Sequence, residues 1–110
     1  MMVEVREEGG IPVAGLSGEI DGRTAPAVQE SLLPWIEKYP KLVLDMREVS
    51  FLSSAGLRMM LLLYRAATAC QGRLALVGLS EQIRDVMAAT GFLHFFVVEN
   101  DAASAWRAMG

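Results

Sequence analysis

Asp45-Met46-Arg47-Glu48-Val49-Ser50-Phe51-Leu52-Ser53-Ser54-Ala55-Gly56-Leu57 is the stretch whose reading decides the fold. Before it, Leu42-Val43-Leu44 is an apolar run that reads as a buried strand; after it, Arg58 to Cys70 is a long helix-forming segment. Two small hydroxyl residues therefore stand at a strand-to-helix turn. The first-turn N–H groups of a helix lack intrahelical partners, and its dipole places positive charge there, so the position favours anions. A phosphoryl group on either serine would sit beside an apolar helix surface, which makes the segment a candidate switch.

Working outward, Val3-Glu4-Val5-Arg6 alternates as a half-exposed strand does, Glu8-Gly9-Gly10 is a turn, and Ile11 to Ser17 reads as the second strand of a hairpin. That strand ends in Gly18-Glu19-Ile20-Asp21-Gly22. Thr24 is placed to cap a helix in which Ala25, Val28, Leu32 and Ile36 share a face. Pro34 should kink that helix or split it near Leu33, and Tyr39-Pro40 should end it. Lys41 to Asp45 shows little alternation, as in a strand covered on both faces. Gln71-Gly72 closes the next helix. Arg73 to Val77 is a strand, Ser80 caps a helix ending near Ala89 and Gly91, Phe95 to Val98 is a short strand, and Asp101 caps a final helix. The order β-β-α-β-α-β-α-β-α implies one α/β domain over 1–110: a mixed sheet with an initial antiparallel hairpin and later parallel strands joined by right-handed crossovers.

Composition removes whole classes of function. At 110 residues and 53% hydrophobic content the chain suits one packed domain rather than disorder. A net charge of −3 with scattered basic residues gives no footprint for nucleic acid. The apolar stretch Met59 to Tyr64 is bounded by Arg58 and Arg65, far short of the ~20 residues of a membrane span, and the first ten residues lack the apolar core of a signal peptide. With one cysteine, Cys70, no internal disulfide is possible, so a reducing cytoplasm fits. His94 is the only histidine, which leaves no metal cluster and little scope for a catalytic triad; no cofactor site is evident.

Ser53 and Ser54 admit two readings. One of them can simply cap the helix; one can accept a phosphoryl group, Ser54 having the small neighbours Ala55 and Gly56 that allow close approach of an active site. The two are compatible if Ser53 caps and Ser54 is presented. A nucleophile elbow would need Gly-x-Ser-x-Gly, which is absent. The following helix is apolar on too many sides: Leu57, Met60, Leu61 and Tyr64 make one face, while Met59, Leu62, Leu63 and Ala66 spread onto others. It is either a central helix buried by its neighbours or one whose Met59 and Leu62, beside Arg58 and Arg65, form an exposed docking stripe for a protein partner. Asp21, Asp45 and Glu48 read as loop and capping residues, Cys70 as a packed residue, and His94 as a structural residue among phenylalanines.

Gly18-Glu19-Ile20-Asp21 before Thr24-Ala25-Pro26, then Asp45 with Val49 to Leu57, then Leu76-Val77-Gly78 and Thr90-Gly91-Phe92, together resemble a stand-alone STAS domain, and more narrowly the anti-sigma-factor antagonists of bacterial partner-switching systems. The resemblance runs in order along essentially the whole chain. It implies about four helices, mainly on one face of the sheet. It also implies a non-enzymatic regulator that binds a GHKL-type serine kinase/anti-sigma factor when unphosphorylated, is released on serine phosphorylation, and is reset by a PP2C-type phosphatase. By position the phosphoacceptor is Ser54, with Ser53 second, since Ser53 stands where the family often has aspartate. The partner-binding residues implied are Asp21, Gly22, Arg23, Ser53, Ala55, Gly56, Arg58, Met59, Leu62 and Arg65. The alternative within the same family is an accessory or sensor subunit, such as that of a lipid transporter, acting without phosphorylation.

Overall fold

Strand pairing sorts the apolar residues onto two faces of one sheet. In a computed structural model, which describes residues 2–110, β1 (Met2–Glu8) and β2 (Ile11–Ile20) form the expected antiparallel hairpin. Gly9 and Gly10 turn it with φ of 57° and 84°, a left-handed backbone that glycine adopts without a Cβ clash. The chain continues through α1 (Ala25–Lys38), β3 (Lys41–Leu52), α2 (Ser54–Ala69), β4 (Arg73–Val77), α3 (Glu81–Ala89), a 3-10 turn (Phe92–Phe95), β5 (Val97–Glu99) and α4 (Ala102–Ala108). The five strands lie in the order β1-β2-β3-β4-β5, and every pair after the first is parallel. The expected fold class and element order are those observed.

Successive side chains of a strand point to opposite faces. Ala14, Leu16, Leu42, Leu44, Leu74 and Leu76 face the main core, closed by α1, α2 and α3 through Val28, Leu32, Ile36, Met60, Leu63, Ile83 and Met87. Val13, Val43, Ala75 and Val77 face the other side, where α4 packs with Ala102, Ala105 and Met109. Three helices thus cover one face and one covers the other. β3 is apolar on both sides because both are covered.

Three boundaries differ from the sequence reading, each for a tertiary reason. β3 does not stop at Asp45 but runs to Leu52, because β2 accompanies it in parallel out to Ile20↔Leu52, across register shifts at Gly15/Ser17 and Gly18/Glu19. β4 ends opposite Asp45, so beyond it β3 has a neighbour only on the β2 side. Arg47, Glu48, Ser50 and Phe51 there are exposed, while Met46, Val49 and Leu52 point inward. Pro34 does not split α1; the helix continues to Lys38. Proline cannot donate to the carbonyl four residues back, and here that carbonyl belongs to exposed Glu30, which water can reach. Finally, Phe95 lies in the 3-10 turn rather than in the last strand, which begins at Val97 and pairs with only three residues of β4.

Candidate functional site

The turn into α2 is built by Ser53 and Gly56. Ser53 has an extended backbone (φ −83°, ψ 176°), and its Oγ accepts from the Gly56 amide at 3.2 Å. This is N-cap geometry, and it satisfies one of the unpaired first-turn donors. The Ser53 amide donates to the Ile20 carbonyl at 2.9 Å, tying the turn to the end of β2. Gly56 is buried at the same junction. A Cβ built on it would stand 2.7 Å from the Ile20 carbonyl oxygen and 2.6 Å from Leu52 Cδ1, so only glycine lets the helix come this close.

Ser54, the first residue of α2, is exposed, and among the described residues its hydroxyl makes no hydrogen bond. Residues one turn apart on a helix lie one above the other. Ser54, Arg58 and Leu62 therefore form a row, and Arg65 prolongs it; all four are exposed, with Leu62 at 45%. The α1 side of this row is an open groove of about 230 Å³ lined by Gly22, Ala25, Pro26, Gln29, Ala55 and Arg58. Gly22 packs toward Ala55, with 3.8 Å between a Cβ built on the glycine and Ala55 Cβ, which brings the Asp21–Arg23 loop beside the phosphate-accepting candidate.

Asp21 shapes that loop. Its Oδ1 accepts from the Arg23 amide at 2.9 Å and from the Thr24 amide at 3.2 Å, and the Arg23 amide is the main reason its carboxyl titrates below the ordinary value. Thr24 holds the N-cap position but does not cap with its side chain. Its hydroxyl donates to the Glu19 carbonyl and accepts from the Asp21 amide, so α1 has no side-chain cap and its first amide, that of Ala25, donates to the Asp21 backbone carbonyl at 2.8 Å. The Arg23 guanidinium is exposed, 3.5 Å from Asp21 Oδ2.

Of the partner-binding residues expected, two are not on the surface. Met59, placed on the exposed stripe by the sequence reading, is 2% exposed. It lies at the floor of the groove, because α1 docks against that side of α2 and Gly56, Met59, Met60, Leu63 and Ala67 all turn inward. Gly56 is likewise buried, so it sets the turn rather than offering a contact. The remaining residues, Asp21, Gly22, Arg23, Ser53, Ala55, Arg58, Leu62 and Arg65, are at least partly exposed.

Two features went unread in the sequence. Phe51 is 51% exposed and, with Val86 of α3 at 43%, lines an apolar groove of about 380 Å³ two residues before the cap. Its signal was an aromatic residue on a strand whose neighbour had already ended. Asp45, read as a loop residue, is buried and accepts from Arg6 Nη2 at 2.8 Å and from Arg47 Nη2 at 2.6 Å. Burial alone would raise its pKa; hydrogen bonds from the Arg47 side chain and amide and from Arg6 outweigh this and bring it to about 2. Asp45 therefore fastens β1 to β3 and has no catalytic arrangement around it. No group of three metal-ligating side chains occurs among the described residues, and no helix among them is long and apolar enough to cross a membrane.

The family model for the STAS domain matches residues 2–105. The chain is 33% identical over 97 residues to BtrV of Bordetella bronchiseptica, provisionally named an anti-sigma factor antagonist, covering 87% of this chain and 84% of BtrV. It is 31% identical over 86 residues to an anti-sigma-B factor antagonist of Listeria monocytogenes, covering 77% and 75%. A crystal structure of an anti-sigma factor antagonist from Mycobacterium paratuberculosis superposes with a TM-score of 0.84 at 28% identity, covering 98% of this chain and 92% of that one. With its hairpin-led mixed sheet and its serine pair at the mouth of α2, the chain belongs to the STAS domain family.

Proposed function

We propose that this protein is an anti-sigma-factor antagonist: a cytoplasmic regulatory binding protein, not an enzyme, that docks a GHKL-type serine kinase/anti-sigma factor and is released when Ser54 is phosphorylated. Its similarity to proteins named as anti-sigma factor antagonists supports the general reading. The observation that carries the finer one is the division of labour between neighbouring serines. Ser53 Oγ is engaged as a cap, while the Ser54 hydroxyl is exposed at the head of the row Ser54, Arg58, Leu62.

The docking face in this reading is that row with Arg65, bordered by Ala55 and by the Asp21–Arg23 loop. Phosphorylation adds about −1.5 to −2 charges and three strong acceptors. At a helix N-terminus the anion is tolerated by the fold, but in a dry interface beside Leu62 it must be desolvated or matched by the partner. A thousandfold loss of affinity needs only about 4 kcal/mol, which one uncompensated buried charge supplies. A PP2C-type phosphatase would reset the switch.

Incubation with the cognate kinase and ATP, followed by phosphopeptide mapping, tests the reading. Phosphate is expected on Ser54, with Ser54→Ala unmodified yet still bound by the kinase and Ser54→Asp bound more weakly. Phosphate on Ser53 alone, or equal binding of Ser54→Asp, would refute it.

A further inference from the structure

We propose that Arg58 is a contested cation: in the unmodified chain it receives an acidic side chain of the docking partner in the groove between α1 and α2, and once Ser54 is phosphorylated it turns to the phosphate. This rests on the reading of Ser54 as the phosphoacceptor. The groove holds about 230 Å³, below the ~300 Å³ at which small-molecule sites begin, so it fits a side chain of a protein partner better than a free ligand. Ala25, Pro26, Ala55, Met59 and Leu62 give it apolar walls, and among the described residues Arg58 is the only charged one that lines it. A single cation in an apolar, carboxylate-free groove is complementary to an aspartate or glutamate set among apolar neighbours on the partner.

Arg58 is not committed to the fold. Arg6 and Arg47 hold Asp45, and Arg23 lies beside Asp21, whereas among the described residues Arg58 makes no ion pair. It is exposed, so its guanidinium keeps its donors for a group from outside. Its planar fork can grip a carboxylate in bidentate fashion, which a lysine cannot do. The neighbouring charges do not take its place. Asp21 is held by the Arg23 and Thr24 amides, and Arg65 does not line the groove.

The same guanidinium is one helical turn from Ser54. Transfer of the γ-phosphoryl group of ATP replaces the Ser54 hydroxyl proton and leaves ADP. Residues four apart on a helix have Cβ atoms about 5–6 Å apart. Helical side chains lean toward the N-terminus, so Arg58 leans back toward Ser54. An anion N-terminal to a cation at this spacing is the stronger order of the pair. The phosphate brings about −1.5 to −2 charges and three acceptors, against the single charge of a partner carboxylate, and it is carried on the same helix. It therefore outcompetes that carboxylate for Arg58. Phosphorylation then acts twice: it adds an anion to the interface, and it withdraws the cation that the partner's acid needs.

Two measurements decide the matter, one of them independent of any kinase. In the full chain carrying genetically encoded phosphoserine in place of Ser54, the second pKa of the phosphate, read by phosphorus NMR, should lie about half a unit lower with Arg58 than in Arg58→Gln. In calorimetric titration of the unphosphorylated full chain against the cognate kinase, Arg58→Gln should weaken binding about tenfold at an unchanged urea midpoint. Arg107→Gln, on the opposite face of the sheet, should change it less than about twofold. Equal phosphate pKa values in parent and variant overturn the proposal, and so does unaltered kinase affinity in Arg58→Gln. Loss of self-association in Arg58→Gln with kinase affinity unchanged would give the groove to a second copy of the chain instead. A kinase that binds the parent but never modifies Ser54 defeats the proposed function while both measurements can still be read; a kinase that does not bind the parent at all defeats both.

Discussion

Gly56→Ala sets two opposing effects against each other, and the structure decides which wins. Alanine is the better helix former by about 1 kcal/mol, so at a solvated helical position the substitution would stabilise. Here the new methyl would stand 2.7 Å from the Ile20 carbonyl oxygen and 2.6 Å from Leu52 Cδ1. The leucine can rotate away. The carbonyl cannot, because it accepts the Ser53 amide at 2.9 Å. Relief requires the first turn of α2 to retreat by about 0.5 Å, which stretches that hydrogen bond and opens the packing beneath it. Overpacking costs about 1–3 kcal/mol and a weakened buried hydrogen bond about 1, so after the gain in helix propensity the net expectation is a loss of about 1–3 kcal/mol. In urea unfolding, with a slope of about 1–1.5 kcal/mol per molar for a domain of this size, the midpoint should fall by about 1–2 M at unchanged slope. The same retreat moves Ser54, so kinase-dependent phosphorylation should fall more than the change in folded fraction explains. A midpoint equal to or above that of the parent would refute the claim that this glycine is there for close approach.

Three further outcomes follow from the same geometry. Ser53→Ala removes the cap on α2 and should cost about 1 kcal/mol in urea unfolding; an unchanged midpoint would mean that the 3.2 Å contact to the Gly56 amide contributes nothing. Asp45→Asn should flatten the acid limb of stability. The folded pKa of Asp45 is lowered to about 2, so its contribution is fully present above the unfolded value near 4 and is lost as pH falls from about 4 through 2; at most about 2 kcal/mol is involved, less because Arg47 is 61% exposed, and an equal fall in the parent and the variant between pH 5 and pH 2 would exclude the effect. Met59→Ala should cost about 2–3 kcal/mol as a core truncation, whereas Leu62→Ala, three residues on, should stay within about 0.5 kcal/mol and weaken only partner binding in a pull-down or calorimetric titration; equal stability losses would contradict the burial pattern.

What could be read from the chain alone was local. Ser53, Ser80 and Asp101 each cap as expected, accepting from the amide three residues on, because capping depends on neighbours a turn away. The order of elements follows from the same kind of signal. What could not be read depends on remote partners. Met46 to Leu52 has no regular alternation, and it becomes strand because β2 follows it through two register shifts. Met59 and Leu62 are equally apolar in sequence, and only the docking of α1 buries one and leaves the other exposed. Thr24 looks like a cap, yet the Glu19 carbonyl at the end of β2 claims its hydroxyl. Asp45 reads as a loop acid until the hairpin brings Arg6 across the sheet to it.

On the proposed reading, the serine pair lets the fold carry a modifiable residue at little cost to itself. Each neighbour of Ser54 is committed to the structure: Ser53 caps the helix and is tied to Ile20, Ala55 packs toward Gly22, Gly56 permits the close approach, and Leu57 is buried. Among the described residues the Ser54 side chain alone contributes neither a hydrogen bond nor core packing. A group added to its oxygen therefore changes the surface and leaves the folding contacts as they were, with the first-turn amides and the exposed Arg58 one turn on favouring negative charge. Any loss of partner affinity on modification must then arise in the interface, through desolvation and charge, rather than through rearrangement of the domain. This has a consequence for Ser53. A phosphate there would sit on the oxygen that accepts from the Gly56 amide and so would alter the cap hydrogen bond as well as the surface, whereas modification of Ser54 leaves that bond in place.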